Sequence, residues 1–166
     1  SFDRTMPEEV NRILVDQMAQ DYFVTEESGL KNLDFEGLSK KDSATTTTLV
    51  GNTMIDTLVK FDDHIKRSEI LRQHGLKEKQ FILMTMHRPA TVDNADGLKF
   101  LHSLLEKVSS RLPVVLPMHP RTRARIASFN LTAEFNALKN LIILDPLDYF
   151  AFQRLVIGAK AILTDS

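Results

Sequence analysis

The fold of this chain is decided by Phe81-Ile82-Leu83-Met84-Thr85-Met86, a continuous apolar run that follows the charged segment Lys77-Glu78-Lys79. Strands of parallel sheets have this pattern, because helices cover both of their faces and leave no solvated side. We therefore predict a strand at this position that is buried on both faces.

Three later runs repeat this signature, at residues 114–118, 141–144 and 161–164. Between the runs, apolar residues recur at three- and four-residue spacing and predict helices over residues 97–111, 122–129 and 149–158. Strands that alternate with helices in this way form βαβ units. The sequence thus predicts an α/β fold with a parallel sheet covered on both faces.

The first fifty residues have a weaker pattern of the same kind. A helix is predicted from about Pro7 to Ala19, a strand at residues 22–25, a second helix at residues 26–33 and a threonine-rich strand that ends at Val50. Residues 51–53, Gly-Asn-Thr, then turn the chain, and helical patterns follow, the last of them at residues 65–74. We predict a domain boundary near Gly51, with one domain part in residues 1–50 and another in residues 51–166.

Bulk composition limits the classes of function. The chain has 166 residues, of which 43% are apolar and 26% charged, and its formal net charge is −1, which indicates neither a nucleic-acid nor a membrane partner. No apolar run approaches the roughly 18 residues that a transmembrane helix requires, and residues 1–10 are charged where a signal peptide is apolar. Cysteine is absent, which excludes disulfides and favours a reducing cytoplasm.

Polar residues follow each of the four buried runs. In open parallel sheets, ligands bind beyond the carboxyl ends of the strands, where helix N-termini present free N–H groups. Two of these strand-end loops carry a histidine next to proline or arginine, which suits an anionic ligand such as a diphosphate. The four segments are His87-Arg88-Pro89, His119-Pro120-Arg121, Asp145-Pro146-Leu147 and Asp165-Ser166.

Each candidate residue also has a purely structural interpretation. His87 and His119 could be strand-end histidines whose side chains bond to the backbone. Glu8 could be the last residue of a Thr5-x-x-Glu8 capping box, and Phe152 could be a core residue of an amphipathic helix. We expect no metal site, because the two histidines lie in separate loops without a recognisable zinc-ligand pattern. The P-loop and dinucleotide-binding motifs are absent.

Read together, six segments of the chain resemble the non-hydrolysing UDP-N-acetylglucosamine 2-epimerase family, in the family's order. The third segment is similar to a His-Arg-Pro-x-x-Val-Asp branch, whereas many members have His-Arg-x-Glu-Asn there. The segments are Pro7-Glu8-Glu9-Val10-Asn11-Arg12, Gly51-Asn52-Thr53, His87-Arg88-Pro89, His119-Pro120-Arg121, Asp145-Pro146-Leu147 with Phe152, and Thr164-Asp165-Ser166.

The resemblance implies a fold and an activity. Family members have two Rossmann-like domains in the glycosyltransferase-B arrangement, with the nucleotide sugar between them, and many are homodimers. They interconvert UDP-GlcNAc and UDP-ManNAc, or modified UDP-sugars of surface polysaccharide synthesis, by eliminating UDP and adding it back. The resemblance implies no nicotinamide, no metal and no other cofactor. It would make residues 1–50 the end of the N-terminal domain and residues 51–166 the start of the UDP-binding domain.

The resemblance also implies roles for particular residues. Glu8 matches one acid/base carboxylate, His87 matches the histidine at the diphosphate, Leu147 and Phe152 match contacts on the uracil side, and Ser166 matches the serine that opens the phosphate loop. Two other functions stay open. The chain could belong to a nucleotide-sugar binding or glycosyl-transferring module on the same fold, or to a homologue that binds a UDP-sugar without chemistry.

We expect the 166-residue chain alone to be inactive. It begins after the family's segments that supply another catalytic aspartate and glutamate, and it stops before the glycines and glutamate that complete the phosphate loop. The test is proton NMR of UDP-GlcNAc with this chain in deuterated water. Exchange of the C2 proton at an enzymatic rate would contradict the expectation.

Overall fold

The computed structural model describes residues 3–165, except for the side chain of Ala90. Strands in this part of the chain are β1 (Asp21–Val24), β2 (Thr46–Leu49), β3 (Ile82–Thr85), β4 (Val114–Pro117), β5 (Leu141–Leu144) and β6 (Ala161–Thr164). The helices are α1 (Pro7–Met18), α2 (Glu27–Phe35), α3 (Thr53–Lys60), α4 (Asp62–Arg67), α5 (Ile70–Gln73), α6 (Pro89–Val92), α7 (Ala95–Ser109), α8 (Pro120–Ser128), α9 (Thr132–Asn136) and α10 (Tyr149–Gly158). Over these residues, every helix is too short or too polar to cross a bilayer.

The predicted α/β class with parallel sheets is confirmed. Strands β3 to β6 each lie inside the apolar run that predicts them, and α10 has the predicted bounds. Helices α7 and α8 begin slightly earlier than predicted, because Asn94 and His119 are their N-caps. The side chains of these two residues accept hydrogen bonds from the N–H groups of Gly97 (2.8 Å) and Arg121 (3.2 Å).

The helix predicted over residues 65–74 is wrong in one respect, because the chain leaves helical form between α4 and α5. Gly75 follows the C-cap of α5. Its φ of 62° is left-handed and allows the N–H of Leu76 to donate to the Leu71 carbonyl (2.8 Å), as in a Schellman motif. The short helices α6 and α9 are not predicted, because each has too few residues to show a helical period.

The chain divides into two compact units, the first ending at Phe61 and the second beginning at Asp62. In the first unit, β1 and β2 pair from Asp21 with Thr46 to Val24 with Leu49. The domain boundary near Gly51 stays a prediction, since a compact unit need not coincide with an evolutionary domain.

The second unit contains a sheet with the strand order β5-β4-β3-β6. Alternate residues of its strands supply two separate cores. Met84 of β3 packs in the core under α7, α8 and α9, whereas its neighbour Leu83 packs in the core under α5 and α10. Both side chains are 0% exposed. This two-sided burial is why the sequence of β3 is apolar at successive positions.

The chain reverses direction across the sheet beside β3. It proceeds outward from β3 to β4 and β5, and it then returns through α10 to place β6 on the other side of β3. A crevice forms at the carboxyl ends of the strands wherever the order reverses in this way, and ligands of doubly wound sheets bind there. The fold therefore points to the residues that follow β3 and β6.

Lys79 joins the starts of the two strands beside this crevice. Its backbone N–H donates to the carbonyl of Gly158 (2.7 Å), and its ammonium donates to the carbonyls of Ile157 (2.6 Å) and Ala159 (3.1 Å). A lysine at a helix C-terminus satisfies carbonyls that have no partner within the helix. The segment before β3 is thereby tied to the end of α10, directly before β6.

We predict that Leu101→Ala lowers the free energy of unfolding of the second unit by about 2–5 kcal/mol, because it leaves a cavity in a close-packed core. Leu101 is 1% exposed, whereas its neighbour Phe100 on α7 is 63% exposed. Phe100→Ala is the control and should change stability by at most about 0.5 kcal/mol. Urea unfolding of both variants tests this, and equal losses would contradict the core assignment.

Candidate functional site

Asp165 and His87 meet at the crevice between β3 and β6. Strand β6 pairs with β3 in register from Ile82 with Ala161 to Thr85 with Thr164, so the residues that follow the two strands are neighbours. The Asp165 carboxylate accepts the backbone N–H of His87 (3.1 and 3.2 Å to its two oxygens) and the N–H of Arg88 (2.9 Å). The carboxylate thus binds the turn that carries the histidine.

The surroundings of Asp165 favour its charged form. Burial acts to raise the pKa of this carboxyl, but the N–H groups of Arg88 and His87, the Thr91 hydroxyl and the His87 ring together hold the pKa below its ordinary value. A depressed pKa means that the contact stabilises the fold above the ordinary carboxyl range and is lost as the pH falls through the folded-state pKa. Asp165 is therefore an anion at neutral pH.

The His87 ring lies over this anion. Its Nδ1 is 3.4 Å from Oδ1 of Asp165, and its side chain is 62% exposed, whereas the Asp165 side chain is 12% exposed. Nε2 lies on the far side of the ring from the carboxylate. The arrangement leaves Nε2 accessible to a ligand in the crevice while a fixed negative charge faces Nδ1.

The structural interpretation holds for His119. Its Nδ1 accepts a hydrogen bond from the N–H of Arg121 at the start of α8, so this ring nitrogen caps the helix. The Arg121 guanidinium binds Asp93 at the end of α6, and Arg125 Nε lies 3.7 Å from the same carboxylate. Arg121 and Arg125 therefore tie the β3 loop to α8 and are already paired with an acid.

Leu147 and Phe152 lie in the second unit with His87. Both are half-buried and pack against the core that contains Leu144 and Leu155. Phe152 is thus a core-facing residue, as its structural interpretation states, and its half-exposed side also permits a ligand contact. Ser166 lies outside the described residues.

Glu8 lies in the first unit, in the first turn of α1, and its side chain is exposed. The capping box expected from Thr5 and Glu8 is wrong. The N-cap of α1 is Met6, which makes no side-chain cap, and the Thr5 hydroxyl donates instead to Asp3 (2.6 Å). Within residues 3–165, neither a hydrogen bond nor an ion pair of the Glu8 carboxylate is found, so this acid is available for chemistry.

Arg12 organises the helix that carries Glu8. Its guanidinium donates to both oxygens of Glu9 (2.8 and 3.2 Å), to both oxygens of Glu36 (3.0 and 3.1 Å) and to Asp16 (2.7 Å). An arginine has five N–H donors, and all five are used here. Because Glu36 directly follows α2, the contact joins α1 to α2.

The charge of Arg12 also affects its partners. Its hydrogen bonds hold the pKa of the buried Glu9 carboxyl below the ordinary value, even though burial opposes this shift. Glu8 and Glu9 are adjacent residues with the same side chain, but of these two carboxylates Arg12 binds that of Glu9 alone. The Pro-Glu-Glu-x-Asn-Arg segment therefore separates into structural residues, Glu9 and Arg12, and one free acid.

A cavity of about 470 Å³ lies in the first unit, between α1, β1 and α2. Its lining includes Arg12, Asp16, Tyr22 and Glu36 but not Glu8. It does not coincide with the chemistry of the strand-end loops, so we place the candidate site at the crevice. Over residues 3–165, the acids and histidines do not form a group of three or more that could hold a metal ion.

Sequence reasoning did not assign roles to Asp165 and Arg12, although both lie in the segments that carry the resemblance. The contact of Asp165 with the β3 turn depends on the strand order, which alternation of strands and helices does not specify. For Arg12, three- and four-residue spacing from Glu9 and to Asp16 was a readable signal of ion pairs on one helix face.

Comparisons with known proteins cover the whole chain. The family model described as UDP-N-acetylglucosamine 2-epimerase matches residues 1–166. The UDP-N-acetylglucosamine 2-epimerase of Methanocaldococcus jannaschii is 32% identical over 171 residues, which cover 100% of this chain and 46% of that protein. The UDP-2,3-diacetamido-2,3-dideoxy-D-glucuronate 2-epimerase of Pseudomonas aeruginosa is 33% identical over 168 residues, covering 100% and 44%.

A solved structure of a UDP-GlcNAc 2-epimerase also matches the whole chain. The crystal structure of the M. jannaschii UDP-GlcNAc 2-epimerase in complex with UDP-GlcNAc and UDP matches with a TM-score of 0.81 and 32% identity, covering 100% of this chain and 46% of that one. This likeness confirms the Rossmann-like fold class. The chain spans about half the length of the curated relatives that it matches.

We predict that Arg12→Lys destabilises the first unit, because an ammonium has only three N–H donors and cannot make the five bonds, with paired contacts to Glu9 and Glu36, that the guanidinium makes. Water reaches a third of this side chain, so we expect a loss of about 1–2 kcal/mol, at the low end for charge-assisted hydrogen bonds. Glu8→Gln, on the same helix, should change stability by at most about 0.5 kcal/mol. Amide hydrogen exchange in α1 and α2 measures both, and unchanged exchange in Arg12→Lys would refute the assignment.

Proposed function

The chain belongs to the UDP-N-acetylglucosamine 2-epimerase family, and from that membership we propose that the protein is a UDP-sugar 2-epimerase. In this proposal it interconverts UDP-GlcNAc and UDP-ManNAc, or a modified UDP-sugar pair, for the synthesis of a surface polysaccharide precursor. The modified pair is included because a relative that is 33% identical is named as an epimerase of a diacetamido uronate.

One observation supports this proposal above the others. The exposed ring of His87 lies beside the largely buried, ionised Asp165 side chain at the crevice where the strand order reverses. Anionic ligands of such sheets bind at this place, and a histidine supported by a carboxylate can hold the charge of a diphosphate. The site therefore suits a ligand whose leaving group is UDP.

The proposed reaction is redox-neutral and proceeds by elimination and re-addition. A carboxylate takes the proton from C2 of the sugar while the C1–O bond breaks, and the electron pair of that bond leaves with UDP. A C1=C2 double bond forms in the resulting glycal. Re-addition restores the C1–O bond and returns a proton to the opposite face of C2. Because the C2 proton is weakly acidic, its removal requires a positioned base.

We assign roles to the residues on this basis. Glu8 takes or returns the C2 proton, and its freedom from structural contacts in residues 3–165 supports the assignment. His87 stabilises the departing diphosphate, since charge develops there in the transition state. Leu147 and Phe152 contact the uracil side, and Ser166 binds phosphate. Neither nicotinamide nor a metal takes part in this proposal.

We also propose that the complete protein is a homodimer that acts in the cytoplasm, where its UDP-sugar substrate and a reducing environment are found. The lack of cysteine in the chain supports this compartment. Size-exclusion chromatography with light scattering of the complete protein tests the dimer.

The alternative is a nucleotide-sugar binding or glycosyl-transferring module on the same fold, because function resides in the site and not in the fold. A further candidate is a homologue that binds a UDP-sugar without chemistry, and it is supported by Ala90 and Thr91, which stand where many family members have Glu and Asn. A binder or a transferase has no use for a base at C2. The role of Glu8 therefore separates the two functions.

We predict that Glu8→Gln in the complete protein lowers kcat for epimerisation by roughly 10²- to 10⁴-fold, the usual contribution of a general acid or base. KM and thermal stability should change little, because the side chain is exposed and its shape is kept. Proton NMR of UDP-GlcNAc in deuterated water follows the loss of the C2 proton and the growth of the UDP-ManNAc signal.

Glu27→Gln is the matched control, because Glu27 is an exposed acid in the first turn of α2. It should keep the activity of the unchanged protein. Turnover that survives Glu8→Gln would show that the catalytic assignment is wrong. An unchanged protein that binds UDP-GlcNAc but never exchanges its C2 proton would favour the binding module.

A further inference from the structure

We propose that Asp165 is a positioning residue that holds the His87 ring with a proton on Nδ1 and with Nε2 presented to the diphosphate. This inference rests on the proposed epimerase function. It adds a residue for which the resemblance implies no role, and it explains how an exposed histidine keeps one orientation at an open crevice.

The first argument is that the carboxylate is fixed independently of the ring. Backbone N–H groups of His87 and Arg88 bind its two oxygens at 2.9–3.2 Å, and these donors belong to the turn that follows β3. Strand pairing from Ile82 with Ala161 to Thr85 with Thr164 then sets the distance between the two loops. Asp165 is therefore in place before a ligand arrives.

The second argument concerns protons. Asp165 is 12% exposed and is held in its ionised form by the N–H groups around it. An ionised carboxylate is only an acceptor, so the ring nitrogen that faces it must carry a proton to make a favourable contact. Nδ1 is the nitrogen that faces Oδ1, at 3.4 Å. This distance exceeds that of an ordinary hydrogen bond, and such catalytic contacts often shorten when substrate binds.

The third argument concerns the ligand. A neutral ring with its proton on Nδ1 presents a lone pair at Nε2, which repels a phosphate oxygen. A doubly protonated ring presents an N–H at Nε2, which binds that oxygen while Nδ1–H faces Asp165. A diphosphate and a carboxylate on opposite sides of one ring are therefore both bound only when each ring nitrogen carries a proton. That doubly protonated form is the one that stabilises the charge of departing UDP.

The test is nitrogen NMR of the complete protein with its histidines labelled with ¹⁵N, in the presence of saturating UDP at pH 7. We expect both ring nitrogens of His87 to show protonated shifts in the unchanged protein. In Asp165→Asn we expect the ring to be neutral and kcat for UDP-GlcNAc to fall roughly 10- to 100-fold, as is typical when the partner of an oriented histidine is removed.

Asp96→Asn is the control. Asp96 is an exposed acid in the first turn of α7, in the same unit, and the same loss of charge there should change neither the ring shifts nor kcat. A purely structural role of Asp165 would lower stability without moving the His87 nitrogen shifts in the folded fraction. The nitrogen spectrum therefore separates positioning from support of the fold.

Two results would overturn the inference. One is an unprotonated Nδ1 of His87 in the unchanged UDP complex, which needs no variant and so does not depend on the folding of Asp165→Asn. The other is a folded Asp165→Asn protein with unchanged ring shifts and unchanged kcat. Failure of the proposed function has a different signature, namely an unchanged protein that never exchanges the C2 proton of UDP-sugars.

Discussion

The pairing of β6 with β3 is the constraint on which the candidate site depends. Strand β3 hydrogen-bonds to β4 on one side and to β6 on the other, and its side chains enter two different cores. A strand in this position has no free edge and no solvated face, so hydrogen bonds on both edges and packing on both faces fix its position. A crevice forms at the carboxyl end of β3, because the chain reaches β4 through α7 on one face of the sheet and reaches β6 through α10 on the other face.

Two acidic sites illustrate how the same charged groups serve structure or chemistry. Around Arg12, three carboxylates use all five donors of one guanidinium, and the fourth acid of the neighbourhood, Glu8, is left outside that set. Around Asp165, backbone N–H groups stabilise the charge of one carboxylate, and the adjacent His87 ring is exposed. In both places, carboxylates with hydrogen-bond donors of their own lie next to an exposed side chain to which we assign a chemical role in the proposed function.

The sequence predicts the elements better than it predicts their neighbours. Runs such as residues 81–86 identify β3 because two-sided burial leaves a direct trace in composition. The order of β6 beside β3 leaves no such trace, and the contact of Asp165 with the His87 turn was therefore not foreseen. The capping box at Thr5 fails because α1 starts one residue later than the box requires, with Met6 as its N-cap. The roles of His87 and Glu8 rest on motif resemblance, because neither role can be read from local patterns, and they stay predictions.

The contact of Lys79 with the end of α10 fixes the starts of β3 and β6 next to each other. From this contact, β3 leads to His87 and β6 leads to Asp165, and the two strands are paired residue by residue along the way. Side chains of a strand alternate between its two faces. One residue inserted into or deleted from β3 or β6 would therefore turn the Asp165 carboxylate away from the His87 ring. The number of residues in these two strands therefore determines whether the carboxylate reaches the ring.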